Sequence, residues 1–293
     1  MKKILGIVSS ARRLGNCEIM VKEVFRNLAE PCELHLLRLT DFQIDPCRGC
    51  YHCLFKDGDC VINDDCSTVL EAIGSADALI LAVPAYFLGA HSALKGFLDR
   101  GLSFYGAVDK MWGKPAVGVA VAGIPGMEGS TLLGVESFLK MILTDIRQTR
   151  LVYGALPGEI FLDDGNRKTA RSLAQSLFGP KVPKSTPCCS LCGGDTFRFI
   201  GTDKVRCMLC SNAGTLDMQK GAAVIEMEMA DHQLFLTRKD VQDHKTWLIG
   251  MKERFMAMRK TLKPISVDYL KDGQWIKPHP KPQNANFEKD NEE

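Results

Sequence analysis

The sequence predicts an α/β fold in which a five-stranded parallel sheet carries helices on both faces. Apolar runs and helical periodicities alternate five times over residues 3–178, an order typical of parallel strands joined by crossover helices. Two of the runs, 78–83 and 116–122, contain no polar side chain, as expected of strands buried on both faces. A polar loop follows the first strand, which places a candidate binding site at the carboxyl edge of the sheet.

The elements follow in order from the amino terminus. Residues 3–8 are a short apolar run, interpreted as a strand rather than a signal peptide because Arg12 and Arg13 soon follow. Helix 16–29 has its apolar residues on one side, and residues 33–39 alternate as a strand does. The predicted series continues with helix 67–75, strand 78–83, helix 91–105, strand 116–122, helix 130–143, strand 149–155 and helix 166–178.

A proline-rich stretch divides the chain. Residues 179–187 contain three prolines, which indicates a stiff linker. From Lys239 to Leu262 apolar side chains recur every seven residues, so a long amphipathic helix is expected there. The predicted domains are 1–178 with a cysteine loop at 47–66, the linker 179–187, a four-cysteine ribbon at 188–232, a helical segment at 233–276 and a disordered polar tail at 277–293.

Composition favours a globular protein with metal or redox chemistry. The chain has a net charge of +2 and no apolar run of the about 18 residues that a membrane span needs, so neither nucleic acid nor membrane is expected as a partner. Ten of the twelve cysteines lie in two groups, 47–66 and 188–210, and only Cys17 and Cys32 lie elsewhere. Since disulfides are disfavoured in the cytoplasm, where we expect the protein, this clustering indicates metal or redox sites.

The loop after the first strand, Ser9 to Cys17, is a candidate anion site, and we call it the phosphate loop. Backbone N–H groups, hydroxyls and a helix N-terminus are expected to meet there. The loop resembles the Gly-Ser-x-Arg-x-x-Gly-Asn-Thr phosphate loop of flavodoxin-like NAD(P)H-dependent FMN reductases. Ser10, Arg12, Gly15 and Asn16 match that pattern, whereas Ser9 replaces its first glycine and Cys17 its final threonine.

The resemblance extends over about residues 1–178 and implies a flavodoxin-like fold with bound FMN. Pro84, Ala85, Tyr86 and Phe87 correspond to the family's loop along the isoalloxazine ring, and Gly123 and Gly126 to its other flavin contact. The resemblance also implies NAD(P)H as a donor and a dimer or tetramer as the assembly. Lys95, Asp99 and Arg100, on the helix after the third strand, are interpreted as a surface ion-pair face.

The first cysteine group has the spacing Cys47-x2-Cys50-x2-Cys53-x6-Cys60, followed by Cys66 as a spare. Four thiolates so close together can wrap one [4Fe–4S] cluster. Zinc, reduced thiols and a labile disulfide are alternatives for the same residues. The spacing resembles that of the iron–sulfur flavoproteins, a branch of the same flavodoxin-like group, and this resemblance implies that the four cysteines hold a [4Fe–4S] cluster that exchanges electrons with FMN.

The second group, Cys189-x2-Cys192-x14-Cys207-x2-Cys210, consists of two CxxC knuckles at the separation of a zinc ribbon. Iron in the same residues would make a rubredoxin-like centre. Zinc is favoured because the second knuckle runs Cys-Ser and few aromatic residues lie between the knuckles.

The sequence therefore predicts an FMN-dependent oxidoreductase in which ferredoxin or NAD(P)H supplies electrons to a [4Fe–4S] cluster and FMN. One alternative is an NAD(P)H-dependent FMN or quinone reductase without the cluster. Another is a flavin redox sensor that uses the ribbon for interactions. The sequence identifies no general acid or base.

Overall fold

A computed structural model describes residues 1–219 and 222–278. Its main sheet is parallel, in the order β2-β1-β3-β5-β6, and the short β4 pairs antiparallel with the end of β3. The strands are β1 (Lys2–Val8), β2 (Cys32–Arg38), β3 (Ala78–Tyr86), β4 (Gly89–Ala90), β5 (Pro115–Ala122) and β6 (Asp145–Tyr153). The predicted flavodoxin-like sheet of five parallel strands is confirmed.

Helices cover both faces of this sheet. They are α1 (Asn16–Arg26), α2 (His52–Phe55), α3 (Cys66–Ser75), α4 (Ser92–Leu98), α5 (Val108–Met111), α6 (Thr131–Met141) and α7 (Asp164–Phe178). Neighbouring residues of one strand point to opposite faces: Ile4 belongs to the apolar cluster that includes α1 and α7, and Leu5 to the cluster that includes α3 to α6. The resulting two apolar layers hold the carboxyl ends of the strands in place.

The segment predicted as one helix, 91–105, is interrupted. α4 ends at Leu98, a 3-10 turn follows at Gly101–Gly106, and α5 comes next. The interruption brings Gly106 against the cysteine loop, where an added Cβ would lie 2.0 Å from the backbone oxygen of Asp57. Only glycine allows so close an approach, so the helix breaks where the cysteine loop packs on it.

The ribbon is a separate antiparallel sheet in the order β10-β9-β8-β7. Its strands are β7 (Phe197–Phe199), β8 (Lys204–Cys207), β9 (Ala213–Gln219) and β10 (Ala222–Met227). Leu209 and Phe235 belong to the same apolar cluster as Phe138 of α6. Lys184 pairs with Glu136 of α6 at 2.7 Å and with Asp195 of the ribbon at 3.0 Å. The ribbon is thus docked on the α6 face of the main sheet.

Helix α8 (Arg238–Val267) covers the predicted amphipathic helix and continues beyond it. The chain divides into one compact unit at Met1–Ile249 and a second from Gly250 onward. Val241 is buried in the first unit, whereas Phe255 and Met256 of the second are exposed. No helix among the described residues has both the length and the apolarity to cross a bilayer. Most of the predicted disordered tail, 279–293, lies outside the described residues.

Candidate functional site

A cleft of about 220 Å³ lies at the carboxyl ends of β1, β3, β5 and β6. Nine of the residues predicted to bind flavin line it: Ser10, Arg12, Gly15, Asn16, Cys17, Pro84, Ala85, Tyr86 and Gly123. Of the other three, Ser9 is fully buried, Phe87 is fully exposed and Gly126 lies further along the loop after β5. Three segments distant in sequence therefore converge on one cleft.

The phosphate loop presents unsatisfied polar groups. Helix α1 begins at Asn16, and its N-cap residue, Gly15, offers no side-chain hydrogen bond to the first-turn N–H groups. These groups carry the positive end of the helix dipole. The Ser9 hydroxyl, buried beside this loop, has no hydrogen-bond partner among the described residues, which costs about 1–3 kcal/mol. This chemistry fits the phosphate group of FMN.

A charged network supports the phosphate loop. Glu18, in the first turn of α1, accepts hydrogen bonds from the Leu14 N–H at 2.9 Å, from Lys22 at 2.6 Å and from Arg38 at 2.7 Å. Burial alone would raise the pKa of the Glu18 carboxyl, but these three partners outweigh burial and lower the pKa to about 2. Arg38 also donates to the backbone oxygen of Arg12 at 2.8 Å. The loop is thus held by an ionised carboxylate and the guanidinium at the end of β2.

Asn16 joins the phosphate loop to the loop after β6. Its Nδ2 donates to the Gly154 oxygen at 2.8 Å, and its Oδ1 accepts from the Gly158 N–H at 3.0 Å. Gly154, Ala155 and Pro157 line the cleft and are not among the residues predicted from the sequence. The Gly-Ala-Leu-Pro-Gly run at 154–158 indicates a loop directly after a strand of the sheet, and this pattern could have identified these residues.

The turn between β3 and β4 is strained. Phe87 and Leu88 are its two central residues, with φ of 48° and 63°, in the left-handed region that non-glycine residues rarely adopt. The Leu88 oxygen accepts a hydrogen bond of 2.8 Å from the Ser130 N–H, so the loop after β5 holds the turn in place. An exposed phenylalanine on a strained turn is typical of a functional position.

Cys17 places a thiol where the related phosphate loops have a hydroxyl. The side chain lines the cleft and is 3% exposed. Burial raises the pKa of its thiol to about 12, so it is a neutral, weak hydrogen-bond donor at pH 7.

The four cysteines predicted to hold the cluster lie on one loop but in different environments. Cys47 and Cys50 are exposed, Cys60 is partly buried and Cys53 is buried. Burial raises the pKa of the Cys53 thiol, and the neighbouring Cys60, Cys47 and Cys50 raise it further. Among the described residues these four sulfurs are not grouped as closely as those of the ribbon cysteines. A [4Fe–4S] cube binds each thiolate on a different iron, so it needs four thiols around a space rather than at one point. The donor set fits such a cluster.

Arg100 corrects the sequence interpretation. Lys95 and Asp99 form the expected exposed pair, but Arg100 is 2% exposed and turns toward the cysteine loop. Its guanidinium pairs with the buried Asp64 and donates to Cys60 Sγ at 3.1 Å. Burial raises the pKa of Asp64, whereas hydrogen bonds from Arg100 and two backbone N–H groups lower it below its ordinary value. The pair is therefore ionised at neutral pH.

The ribbon cysteines form a site for one metal ion. The sulfurs of Cys189, Cys192, Cys207 and Cys210 lie within 4.8 Å of one another. Cys189 and Cys210 are 3.7 Å apart, and Cys192 and Cys207 3.6 Å. A tetrahedral ion with Zn–S bonds of about 2.3 Å places its sulfurs about 3.8 Å apart. Gly193 and Ser211, the residues after Cys192 and Cys210, have φ of 78° and 64°, so the two knuckles have related backbone conformations.

Comparison with known proteins agrees with this architecture. A family model described as NADPH-dependent FMN reductase matches residues 2–136. The chain is 32% identical over 187 residues to an iron–sulfur flavoprotein of Methanocaldococcus jannaschii, covering 60% of this chain and 95% of that protein. It is 30% identical over 181 residues to an iron–sulfur flavoprotein of Archaeoglobus fulgidus, covering 60% of this chain and 78% of that protein.

A solved flavone reductase has a TM-score of 0.72 at 16% identity, covering 94% of this chain and 100% of that chain. At that identity the similarity shows the fold alone, and it extends over both the main sheet and the ribbon. The fold, the cleft and the relatives together show that this chain belongs to the iron–sulfur flavoprotein family.

Proposed function

We propose that the protein is an FMN-dependent oxidoreductase in which electrons pass between an external donor, a [4Fe–4S] cluster on Cys47, Cys50, Cys53 and Cys60, FMN in the cleft and a small acceptor. Ferredoxin or NAD(P)H is the proposed donor. The convergence of the three predicted loops on one cleft carries the proposal. FMN, when bound, supplies both one-electron and two-electron chemistry.

The residues of the cleft have distinct roles in this proposal. The α1 N-terminus, Ser10 and Arg12 bind the phosphate, and Asn16 fixes the phosphate loop against the loop after β6. Tyr86 and Gly123 line the part of the cleft proposed for the isoalloxazine ring. No side chain is assigned as a proton donor, because hydride transfer to a flavin needs none.

The cofactor assignment is tested by flavin, iron and acid-labile sulfide analysis of anaerobically isolated protein. Cys50→Ser is expected to lose iron and sulfide from the cysteine loop while retaining FMN. Cys66→Ala is the matched control, since Cys66 lies in the same loop but outside the proposed ligand set, and it is expected to keep both. Wild-type iron in Cys50→Ser would reject the ligand set and favour a reductase without the cluster.

We propose zinc as the ribbon metal, with a structural role. The sulfur spacing supports a tetrahedral ion, and burial of Cys189 and Cys207 in the shared apolar cluster supports a role in docking. Metal analysis of wild type and Cys207→Ser distinguishes the two ions. Loss of one zinc per chain is the expected result, and loss of one iron would assign a rubredoxin-like centre instead.

The proposal also covers the oligomeric state, the cellular location and the domain boundaries of the protein. We propose a cytoplasmic dimer or tetramer, with residues 1–178 as the flavin domain, 188–232 as the ribbon and 233–276 as a helical segment. Light scattering of the holoprotein tests the assembly, and a monomer would contradict it.

A further inference from the structure

A buried arginine contacts one of the proposed cluster ligands. Arg100 follows α4 at the point where the predicted helix breaks, and its side chain is 1% exposed. Its Nη2 donates to Cys60 Sγ at 3.1 Å, and its Nη1 donates to the Asp45 oxygen at 3.0 Å. A charge is costly to bury unless it is paired and hydrogen-bonded. Arg100 therefore has a different role from the exposed Lys95–Asp99 ion pair on the same segment.

Asp64 compensates the charge and joins the two ends of the cysteine loop. Its carboxylate is fully buried and pairs with Arg100. It also accepts hydrogen bonds from the Asp45 N–H at 2.8 Å, before the cysteines, and from the Cys66 N–H at 3.1 Å, after them. The Asp64–Arg100 pair thus fixes the geometry of the loop at its base, and the Arg100 fork leaves one N–H group directed at Cys60.

We infer that Arg100 is a positioning residue for the cluster, which orients Cys60 and raises the cluster's reduction potential, and that Asp64 opposes part of this effect. The inference rests on the proposed function, since it requires a cluster on Cys60. Reduction adds negative charge, so a guanidinium that donates to a ligand sulfur stabilises the reduced form. A carboxylate behind the guanidinium has the opposite effect, because its charge disfavours the added electron.

Two substitutions separate this role from simple structural support. Arg100→Gln removes the positive charge and leaves Asp64 in place, so the cluster potential should fall. Asp64→Asn keeps the arginine and removes the carboxylate, so the potential should rise. A residue that only supports the loop would reduce cluster content in both variants and would not move the potential in opposite directions.

The measurement is an anaerobic redox titration of the holoprotein, followed by the low-temperature electron paramagnetic resonance signal of the reduced cluster. At least a tenfold change in the one-electron reduction equilibrium is expected in each direction, which corresponds to about 59 mV. Lys95→Gln and Asp99→Asn are the matched controls, because they make the same charge changes in the exposed pair on the same segment. Both controls should leave the potential unchanged.

Iron content and FMN content identify a variant that fails to fold or to bind cofactor. If Arg100→Gln loses its cluster, Arg100→Lys and Asp64→Asn are compared instead. Lysine keeps the positive charge but not the two-pronged guanidinium, so Arg100→Lys should lower the cluster potential by less than about 59 mV. If both Arg100→Lys and Asp64→Asn retain iron and leave the potential unchanged, the inferred role of Arg100 is overturned, but the proposed function is not. A wild-type protein without iron in the cysteine loop would overturn the proposed function as well.

Discussion

Replacing the strained turn at Phe87 and Leu88 should make the protein more stable but weaken its function. Both central residues have positive φ, and each left-handed non-glycine residue costs about 1–2 kcal/mol. Replacing them by Asn-Gly, the pair that this two-residue hairpin turn favours, should relieve about 2–4 kcal/mol. The glycine costs about 0.5–1 kcal/mol in backbone entropy. The Phe87 side chain is fully exposed, but Leu88 is only 55% exposed, so removing its side chain loses about 1 kcal/mol of burial. A net gain of about 1 kcal/mol is therefore expected.

Thermal unfolding of the apoprotein measures this gain. For a domain of this size, about 1 kcal/mol corresponds to a rise in Tm of about 2–4 °C. Phe87→Ala with Leu88→Ala is the control, because it removes the same apolar surface and keeps the positive φ angles. An equal rise in the alanine variant, or no rise with Asn-Gly, would show that backbone strain is not the cause.

The same Asn-Gly variant tests what the exposed phenylalanine does. Phe87 follows Tyr86, which lines the cleft, but is not itself among the lining residues. In the proposed enzyme its exposed ring is therefore available to a small acceptor rather than to FMN. The variant should therefore bind FMN as wild type does, with a higher KM for an aromatic acceptor. An unchanged KM would assign Phe87 no part in acceptor binding.

Three further predictions concern the phosphate loop and the ribbon. Cys17→Ser replaces a weak hydrogen-bond donor by a hydroxyl, so the apoprotein should bind FMN about tenfold more tightly, a difference of about 1.4 kcal/mol. A fluorescence titration measures this affinity. Cys32→Ser is the control and should bind FMN as the wild type does. The folded pKa of Glu18, about 2, lies below its ordinary 4.5, so its stabilisation is complete above about pH 4.5 and is lost as the pH falls toward 2. Glu18→Gln should flatten that part of the curve of unfolding free energy against pH, and an unaltered slope would contradict this. In the ribbon, Ser211→Gly should raise stability by about 1 kcal/mol and Gly193→Ala should lower it by a similar amount, as measured by chelator-induced unfolding; equal signs for the two would refute the strain argument.

The features predicted correctly from sequence are those that local patterns specify. A fully apolar run such as 78–83 requires cover on both faces, so the parallel sheet followed from it. The paired CxxC knuckles required their sulfurs to meet, because each knuckle is a short turn and a hairpin joins the two. Residues of the loops after β1, β3 and β5 line one cleft, because parallel strands bring their carboxyl ends to one edge; their binding of FMN stays a prediction.

The missed features depend on contacts between segments distant in sequence. Lys95, Asp99 and Arg100 have the spacing of an exposed helical face, and only the break in the helix after Leu98 turns Arg100 inward. Its partner, Asp64, lies 36 positions earlier, and no periodicity links the two. Lys184 likewise finds Glu136 and Asp195 only because the ribbon docks on α6.

The two cysteine groups have similar spacings but different surroundings. In the ribbon, strands fix the knuckles, the sulfurs already stand at the separation of a single tetrahedral ion, and Cys189 and Cys207 are buried in a shared core. In the cysteine loop, the backbone is held at its base by Asp64 and Arg100 and by the contact of Gly106 with Asp57, whereas Cys47 and Cys50 stay exposed. Under the proposed function, the ribbon ion serves structure and is best enclosed, whereas the proposed cluster exchanges electrons with an external donor and needs one accessible side. The exposure of Cys47 and Cys50 therefore favours the side of the loop they occupy as the place where the electron donor approaches.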